Sequence, residues 1–286
     1  MTAKLLYQLD TDWTPSVFDS VVAFDGGADH VIGHPNVTPD NVGSLVDGAI
    51  FTRGGKEKSC TALFVGGGNM QAGEAVLEAV KKKFFGSFRV SVMLDSNGSN
   101  TTAAAGVALL AKAASLAGKK AVVIAGTGPV GMRTAALLAQ EGAQVAITGR
   151  QRDKTEAAAQ AIQKRFGVQV AAVEAASAAA RGAAIRGAQI VCAAGAIGQE
   201  MVGEQAWKNE RSVEMVADYN AQPPLGFGGI GVGDKGKDHG GKLAFGALGI
   251  GGLKLKLHRA CIARLFESSD QVLDAEEIYK LAKDLA

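Results

Sequence analysis

Aromatic residues make up only 6% of the 286 residues, and the three cysteines, Cys60, Cys192 and Cys261, stand far apart with no CxxC pair. So few aromatics leave the interior to Ala, Val, Leu and Ile, the filling of helices packed on a parallel sheet. The isolated cysteines exclude a disulfide framework and a zinc knuckle, fit a reducing compartment, and read as packing residues. An excess of one charge is also lacking, since 30 basic and 28 acidic residues leave a net +2. No overall field exists to hold DNA, RNA or an anionic membrane. No uninterrupted apolar stretch is long enough to span a bilayer. The N-terminal "MTAKLLYQLDTDWTP" carries one short apolar run broken by Asp10 and Asp12, without the apolar core and cleavage site of a signal peptide. The expectation is a soluble, cytoplasmic protein with neither a nucleic-acid nor a membrane partner.

Apolar residues are plentiful, at 47%, and the 38 glycines exceed what ordinary turns require. The first implies ample core. The second suggests several places where backbone approaches something closely. The length favours two domains or one large one. Along the first hundred residues "KLLYQL", "TALFVGG" and "RVSVMLD" read as strands. Between them, helices are expected over "SVFDSVVAF", over "TPDNVGSLVDGAIF" opening at Thr38, and over "GEAVLEAVKKKFF", with a loop at "DGGADH". Strands alternating with helices at this pitch imply a parallel sheet. From Lys119 the βα rhythm repeats with short connections through "KAVVIAG", "QVAITG", "VQVAAVE", "AQIVCAAG" and "VEMVADYN", the sequence form of a doubly wound domain. A Gly-rich loop is then expected to run to about Gly252, before a final pair of helices.

Gly126, Thr127, Gly128, Pro129, Val130 and Gly131 follow the apolar strand and precede a helix, the context that gives a GxGxxG match its meaning. Gly126 permits a tight turn, Gly128 lets backbone approach a pyrophosphate, and Gly131 lets the helix pack on the strand. The helix N-terminus offers N–H groups and a positive dipole end to phosphates. About 20 residues further on, an NAD-specific site carries an acid that bonds the adenosine ribose. Here "AITGRQRDK" supplies Gly149 and Arg150, followed by Arg152 and Lys154. A carboxylate repels a 2′-phosphate, whereas Arg150 can stack on the adenine and, with Arg152 and Lys154, pair with the dianion, so NADP is the expected cofactor. A solvated helix start accounts for at least one of Arg152 and Lys154. The small residues Ala194, Gly195 and Ala196 at a later strand end let the nicotinamide half pass close to backbone, and Asn220 before two prolines fixes a loop near the same edge. The loop "DSNGSNTT" from Asp95 has the address of a substrate contact at a strand end, and equally that of a capped helix entry.

"LDTDWTPSVFD" (9–19), "GGADHVIG" (26–33), "LDSNGSNTTAAAG" (94–106), "AGTGPVGMR" (125–133), "VADYNAQPPLG" (216–226) and "FGALGIGGLKLKLHRA" (245–260) carry a resemblance that runs nearly end to end. The chain resembles the NADP-dependent methylene-tetrahydromethanopterin dehydrogenases of methylotrophic bacteria, which also act on methylene-tetrahydrofolate. The resemblance implies an α/β protein of two domains with a cleft between them. One is a Rossmann-type NADP domain at 109–265. The other is an N-terminal α/β pterin-binding domain at 1–108, to which a C-terminal helix at about 266–286 returns. It implies hydride transfer from the methylene bridge of a reduced pterin carrier, tetrahydromethanopterin or tetrahydrofolate, to the nicotinamide, and a homo-oligomer such as a trimer or hexamer.

That step passes no proton, so positioning and charge arrangement replace an acid–base set. The family pattern puts a functional lysine at Lys254, with Lys256 beside it; by residue type alone both are solvated residues at the start of an amphipathic helix. Phe18 offers a face for stacking, and Asp19, Asp95, Ser96, Asn97, Ser99 and Asn100 are candidates for the pterin's donors and acceptors. Each of these also suits a cap or the core. His30 and His34 have i,i+4 spacing, but Gly33 and Pro35 break the helix that spacing needs, so no metal is expected. The rival readings are another two-domain NADP oxidoreductase acting on a small carbonyl compound, which needs a proton donor, and a non-catalytic NADP sensor.

Overall fold

The computed structural model describes residues 2–286. Contacts divide the chain into two compact units, one made of residues up to Thr101 together with 255–281 and Leu285, the other of 102–254 with 282–284 and Ala286. The first contains β1 (Leu5–Asp10), α1 (Val17–Asp25), β2 (His30–His34), α2 (Val42–Phe51), β3 (Thr61–Gly66), α3 (Met70–Lys83) and β4 (Ser91–Leu94). Helix α4 (Ser99–Ala113) leads into the second unit. There follow β5 (Lys120–Ile124), α5 (Pro129–Gln140), β6 (Gln144–Gly149), α6 (Arg152–Phe166), β7 (Ala171–Glu174), α7 (Ala178–Ala184), β8 (Ile190–Ala193), α8 (Glu204–Lys208), β9 (Met215–Asp218), β10 (Lys235–Asp238) and β11 (Leu243–Phe245). Helix α9 (Ala247–Leu265) leads back to the first unit, where β12 (Val272–Leu273) and α10 (Ala275–Leu285) end the chain. The expected divisions at 108/109 and 265/266 fall inside α4 and at the end of α9; the contacts divide the chain at 101/102 and 254/255.

The first sheet has the order β12-β4-β3-β1-β2, every pair parallel. Its central strand β3 reads TALFVG and is buried at every position, as a parallel strand covered on both faces must be. One face packs Leu63, Val65, Val92 and Leu94 against Val46 and Ile50 of α2 and Val76, Leu77 and Val80 of α3. Each such aliphatic side chain contributes roughly 1.5–3 kcal/mol on burial.

The second sheet has the order β10-β11-β9-β8-β5-β6-β7, parallel except for the antiparallel β10–β11 pair. Val122, Ile124, Val191 and Val216 pack with Trp207 and Phe227 on one face. Helix α4 is buried nearly all round, through Ala103, Ala104, Ala105, Val107, Ala108 and Leu110. An alanine-rich helix can be enclosed on every side without crowding.

Four expectations are corrected. Residues 30–34, expected within or beside a loop, form the edge strand β2, parallel to β1. Helix α2 begins at Val42 and not at Thr38, because Thr38 N donates to Asn41 Oδ1 at 2.8 Å and the intervening residues turn. The Gly-rich stretch expected as loop contains β10 and β11. Finally, "GALGIGG" lies mostly within α9, which starts at Ala247, and two of its glycines have steric reasons. A Cβ on Gly246 would overlap Gly231 O, and one on Gly249 would overlap Asp234 O. The first turn of α9 lies against the backbone of the preceding loop, an approach that only glycine allows.

Candidate functional site

In each sheet the strand order reverses next to the first strand of its unit, between β1 and β3 and between β5 and β8. Such switch points are where ligands bind in open α/β sheets, at the carboxyl ends of the strands.

At the second switch point β5 is followed by Ala125, whose φ of +53° lies in the left-handed region. Thr148 of β6 holds it there: its Oγ1 accepts from Ala125 N at 3.0 Å and its carbonyl accepts from Gly126 N at 2.9 Å. The expectation that Gly126 supplies the tight turn is therefore corrected, because the left-handed residue is alanine. Gly126 is required for space, since a Cβ there would sit 2.9 Å from both Ile147 Cβ and Val123 O. Gly131 packs on it in turn, with a Cβ position 2.7 Å from Gly126 Cα. Gly128 differs: nothing lies within 4 Å of its Cβ position, so its backbone borders open space. It is the N-cap of α5 without a side-chain cap, and Pro129 at the first position has no N–H to offer. The N–H groups of Val130 and Gly131 thus remain at the positive end of the helix dipole for an anion, and the residues fit a pyrophosphate.

A pocket of about 410 Å³ opens there, lined by Ala125, Thr127, Gly128, Thr148, Gly149, Arg150, Ala175, Ala176, Arg181, Ala194, Gly195, Ala196, Gln199, Glu200 and Met201. Among the three cations expected at the tip of β6, only Arg150 lines it. Arg152 heads α6 with a 74% exposed side chain and donates to Glu156 Oε1 at 2.8 Å, an ordinary i,i+4 pair, while Lys154 is exposed. Ala194, Gly195 and Ala196 do line the pocket, and Gly195 abuts Met201, whose Sδ lies 2.7 Å from the Cβ position.

Asn220 stands elsewhere. It is buried, its Nδ2 donates to Pro224 O at 2.9 Å and its Oδ1 accepts from Gln222 N at 3.0 Å, so the carboxamide holds its own loop rather than facing the pocket. Beneath that loop, burial pushes the Asp218 carboxyl up, against backbone N–H groups of Asn220, Phe227 and Gly226 that favour its charged form. Arg181 of α7 is a pocket residue that sequence reasoning missed. Its helix was legible, but nothing in "ASAAARGAAIRG" distinguishes it from Arg186, because one of its two partners, Met201 O, lies 20 residues away. Its Nε donates to Met201 O at 2.6 Å and its Nη1 to Ala176 O at 3.0 Å.

At the first switch point the loops after β1 and β3 are tied together. Gly68 N donates to Asp12 Oδ2 at 2.8 Å, and the buried Asp10 accepts from Asp12 N at 2.9 Å and Ser16 N at 3.0 Å. Phe18 is 48% exposed on α1, Asp19 is half-buried in its first turn, and Asn97 is exposed with a φ of +55°. The other expected contact residues lie inside. Asp95 caps α4, its Oδ1 accepting from Thr101 N at 3.0 Å and its Oδ2 from Thr101 Oγ1 at 2.6 Å. Ser96 Oγ donates to Gly66 O at 3.0 Å. Asn100 Nδ2 reaches Leu94 O at 2.6 Å and Asp274 Oδ1 at 3.0 Å, and Ser99 is buried in the same turn. Asp95, Ser96 and Asn100 thus use these polar atoms within the fold, which favours the capping and core reading of this loop over the substrate-contact one.

On α9, Lys254 is half-buried and Lys256 is exposed. Lys256 Nζ donates to Leu285 O at 3.1 Å, a cation at the carboxyl end of α10. One turn past Lys254 comes the fully buried His258, its ring 5.5 Å from Phe64 and 6.4 Å from Phe18, its Nδ1 4.0 Å from Asp95 Oδ2. His30 and His34 lie on β2, and among the described residues no cluster of three His, Cys, Asp or Glu could hold a metal ion. No helix among them is long and apolar enough to cross a membrane.

The family model for the N-terminal part of methylene-tetrahydromethanopterin dehydrogenase matches residues 17–97. Over the full length of both proteins the chain is 70% identical to the bifunctional protein MdtA of Methylorubrum extorquens strain AM1. It is 31% identical, again over the whole of both, to the NAD(P)-dependent methylenetetrahydromethanopterin dehydrogenase of the same organism. Among solved structures, shikimate 5-dehydrogenase from Listeria monocytogenes superposes with a TM-score of 0.54 at 12% identity, covering 98% of this chain and 96% of that one. That likeness concerns the fold.

Proposed function

The chain belongs to the methylene-tetrahydromethanopterin dehydrogenase family, and from that premise we propose that it oxidises the methylene bridge of tetrahydromethanopterin to the methenyl form by direct hydride transfer to NADP, with methylene-tetrahydrofolate as a second substrate. The observation that carries the choice of dinucleotide is Arg150. It lines the pocket at the tip of β6, where an NAD-specific site has an acid. The 31% identical relative is named as NAD(P)-dependent, so the family membership alone leaves the choice open and the guanidinium supports NADP. A 2′-phosphate is a dianion that a planar, permanently charged side chain pairs with well.

In this reading the N–H groups of Val130 and Gly131 hold the pyrophosphate and Gly128 leaves room for it. Bound NADP supplies the hydride acceptor. No proton moves, so the residues act by fixing the reacting groups and by shaping the charge around a carbon that becomes cationic. An ammonium group beside that carbon would oppose the reaction, so the useful role for Lys254 is to donate a hydrogen bond to the pterin and orient it. Its half-buried position on α9, against the exposed Lys256 that donates to Leu285 O, supports Lys254 over its neighbour. Phe18, Asp19 and Asn97 are the remaining candidates for the carrier, because they alone of the expected set reach the surface.

The reading is tested by initial rates of NADP reduction with methylene-tetrahydromethanopterin, methylene-tetrahydrofolate and a small hydroxy acid. Turnover of both pterins and none of the hydroxy acid is the expected result. Turnover of the hydroxy acid alone would favour carbonyl chemistry, and dinucleotide binding without turnover of any of the three would favour a sensor.

A further inference from the structure

We propose that Arg181 is the adenine clamp of the dinucleotide pocket, recognising the base common to NAD and NADP while Arg150 recognises the 2′-phosphate that distinguishes them. This rests on the dinucleotide reading of the pocket.

The charged groups lining the pocket are two guanidinium groups, from Arg150 and Arg181, and one carboxylate, Glu200. The two arginines are held differently. Arg150 follows the last residue of β6 and is exposed. Arg181 is anchored at both sides of its guanidinium, by Nε on Met201 O at 2.6 Å and Nη1 on Ala176 O at 3.0 Å. Ala176 follows β7 and Met201 ends the loop after β8, so the side chain bridges two rims of one pocket and its plane is fixed by them.

An arginine with Nε already committed has lost the Nε edge that pairs two-pronged with a phosphate. What remains is a flat, charged face held in place, with the N–H groups of Nη2 at its edge, and that face attracts an aromatic base. The lining beside it is suited to a ring: Ala175 and Ala176 are both small. Ala175 and Ala176 border the β6 tip that carries Arg150, as the two ends of one adenosine require. Because the guanidinium is already ordered, stacking a base on it costs little side-chain entropy.

The test uses the full chain and two fragments, 5′-AMP and adenosine 2′,5′-bisphosphate, titrated into wild type, Arg181→Met, Arg181→Lys and Arg150→Gln. Affinity is read by calorimetry and stacking by the adenine-band difference spectrum at saturation. Arg181→Met is expected to weaken both fragments by the same factor, about tenfold, and to abolish the spectral perturbation. Arg181→Lys keeps the charge and loses the plane, so it also loses the perturbation, and it decides the matter if the Met variant does not fold. Arg150→Gln is expected to weaken the bisphosphate alone and to keep the perturbation. A loss in the Arg181 variants confined to the bisphosphate would overturn the proposal, as would an unchanged spectrum at saturation, which is the result for a residue that merely ties the rims together. Wild type that binds neither fragment would remove the dinucleotide reading and the clamp with it.

Discussion

Thr148 fixes Ala125 in a left-handed conformation, with Ala125 N donating to Thr148 Oγ1 at 3.0 Å while Gly126 N donates to Thr148 O at 2.9 Å. One residue of β6 therefore sets the first bend of the Gly-rich turn that follows β5. Thr148→Val keeps the shape and removes the acceptor, leaving the Ala125 N–H without its partner in an interior position. The expected loss is about 1–3 kcal/mol in denaturant unfolding, together with weaker NADP binding. Ala125→Gly relieves the left-handed strain and is expected to raise stability by up to about 1 kcal/mol. Unchanged stability in both variants would contradict the strain argument.

Glycines of one motif are expected to respond differently. A Cβ at Gly131 meets Gly126 Cα at 2.7 Å, whereas one at Gly128 meets nothing within 4 Å. Gly131→Ala should cost about 1–3 kcal/mol of stability, as overpacking does. Gly128→Ala should unfold at nearly the wild-type temperature and lose roughly tenfold in NADP affinity, because its methyl group fills space meant for phosphate. The reverse pattern, found by thermal melts and ligand titration, would mean that the pyrophosphate lies elsewhere.

Much of this was legible in the sequence, for a physical reason. Periodicity reports elements whose apolar residues all face one core, so the repeated βα units and the strand–turn–helix around Gly126 could be read directly. Strand β2 escaped because "HVIGH" is a short edge strand with exposed or half-buried residues throughout. The start of α9 escaped because Gly246 and Gly249 answer to backbone at Gly231 and Asp234, a contact that the linear sequence does not display. Arg181 escaped in part for the same reason, since Met201 O is brought near only by folding, whereas the cap formed by Asp95 was one of the two readings its strand-end loop allowed. Thr148, which shapes the turn, gave no signal beyond being a strand residue.

The cysteines report on burial. Burial alone pushes the Cys192 thiol from 9.0 up to about 12, and burial first, then the Asp95 carboxylate, raises that of Cys261. Cys60 is half-buried. Native protein at pH 8 is expected to alkylate at Cys60 only, with Cys192 and Cys261 reacting after unfolding, as peptide mapping would reveal. The folded state favours the neutral thiol at Cys192, so the stability tied to it is intact below pH 9 and falls as pH rises toward about 12. Rapid native alkylation of Cys192 would contradict its burial.

The two lysines of α9 separate orientation from stability. Lys254→Ala is expected to lower kcat by about a hundredfold, as lost positioning does, with the NADP dissociation constant unchanged. Lys256→Ala removes a bond to Leu285 O; kcat should stay within about twofold, and stability should fall by no more than about 1 kcal/mol. Equal losses of kcat in both, measured by steady-state kinetics, would contradict the distinction.

In the proposed reading, discrimination between the dinucleotides rests on a single guanidinium, that of Arg150. The most direct measurement is the ratio of kcat/KM for NADP to that for NAD with methylene-tetrahydromethanopterin, in wild type and in Arg150→Gln. A charged hydrogen-bonded pair of this kind is worth about 1.5–3 kcal/mol, so the substitution should reduce the ratio by roughly 10- to 150-fold through NADP alone. If both dinucleotides lose equally, or neither changes, the 2′-phosphate is not held by Arg150 and the account of this pocket is wrong.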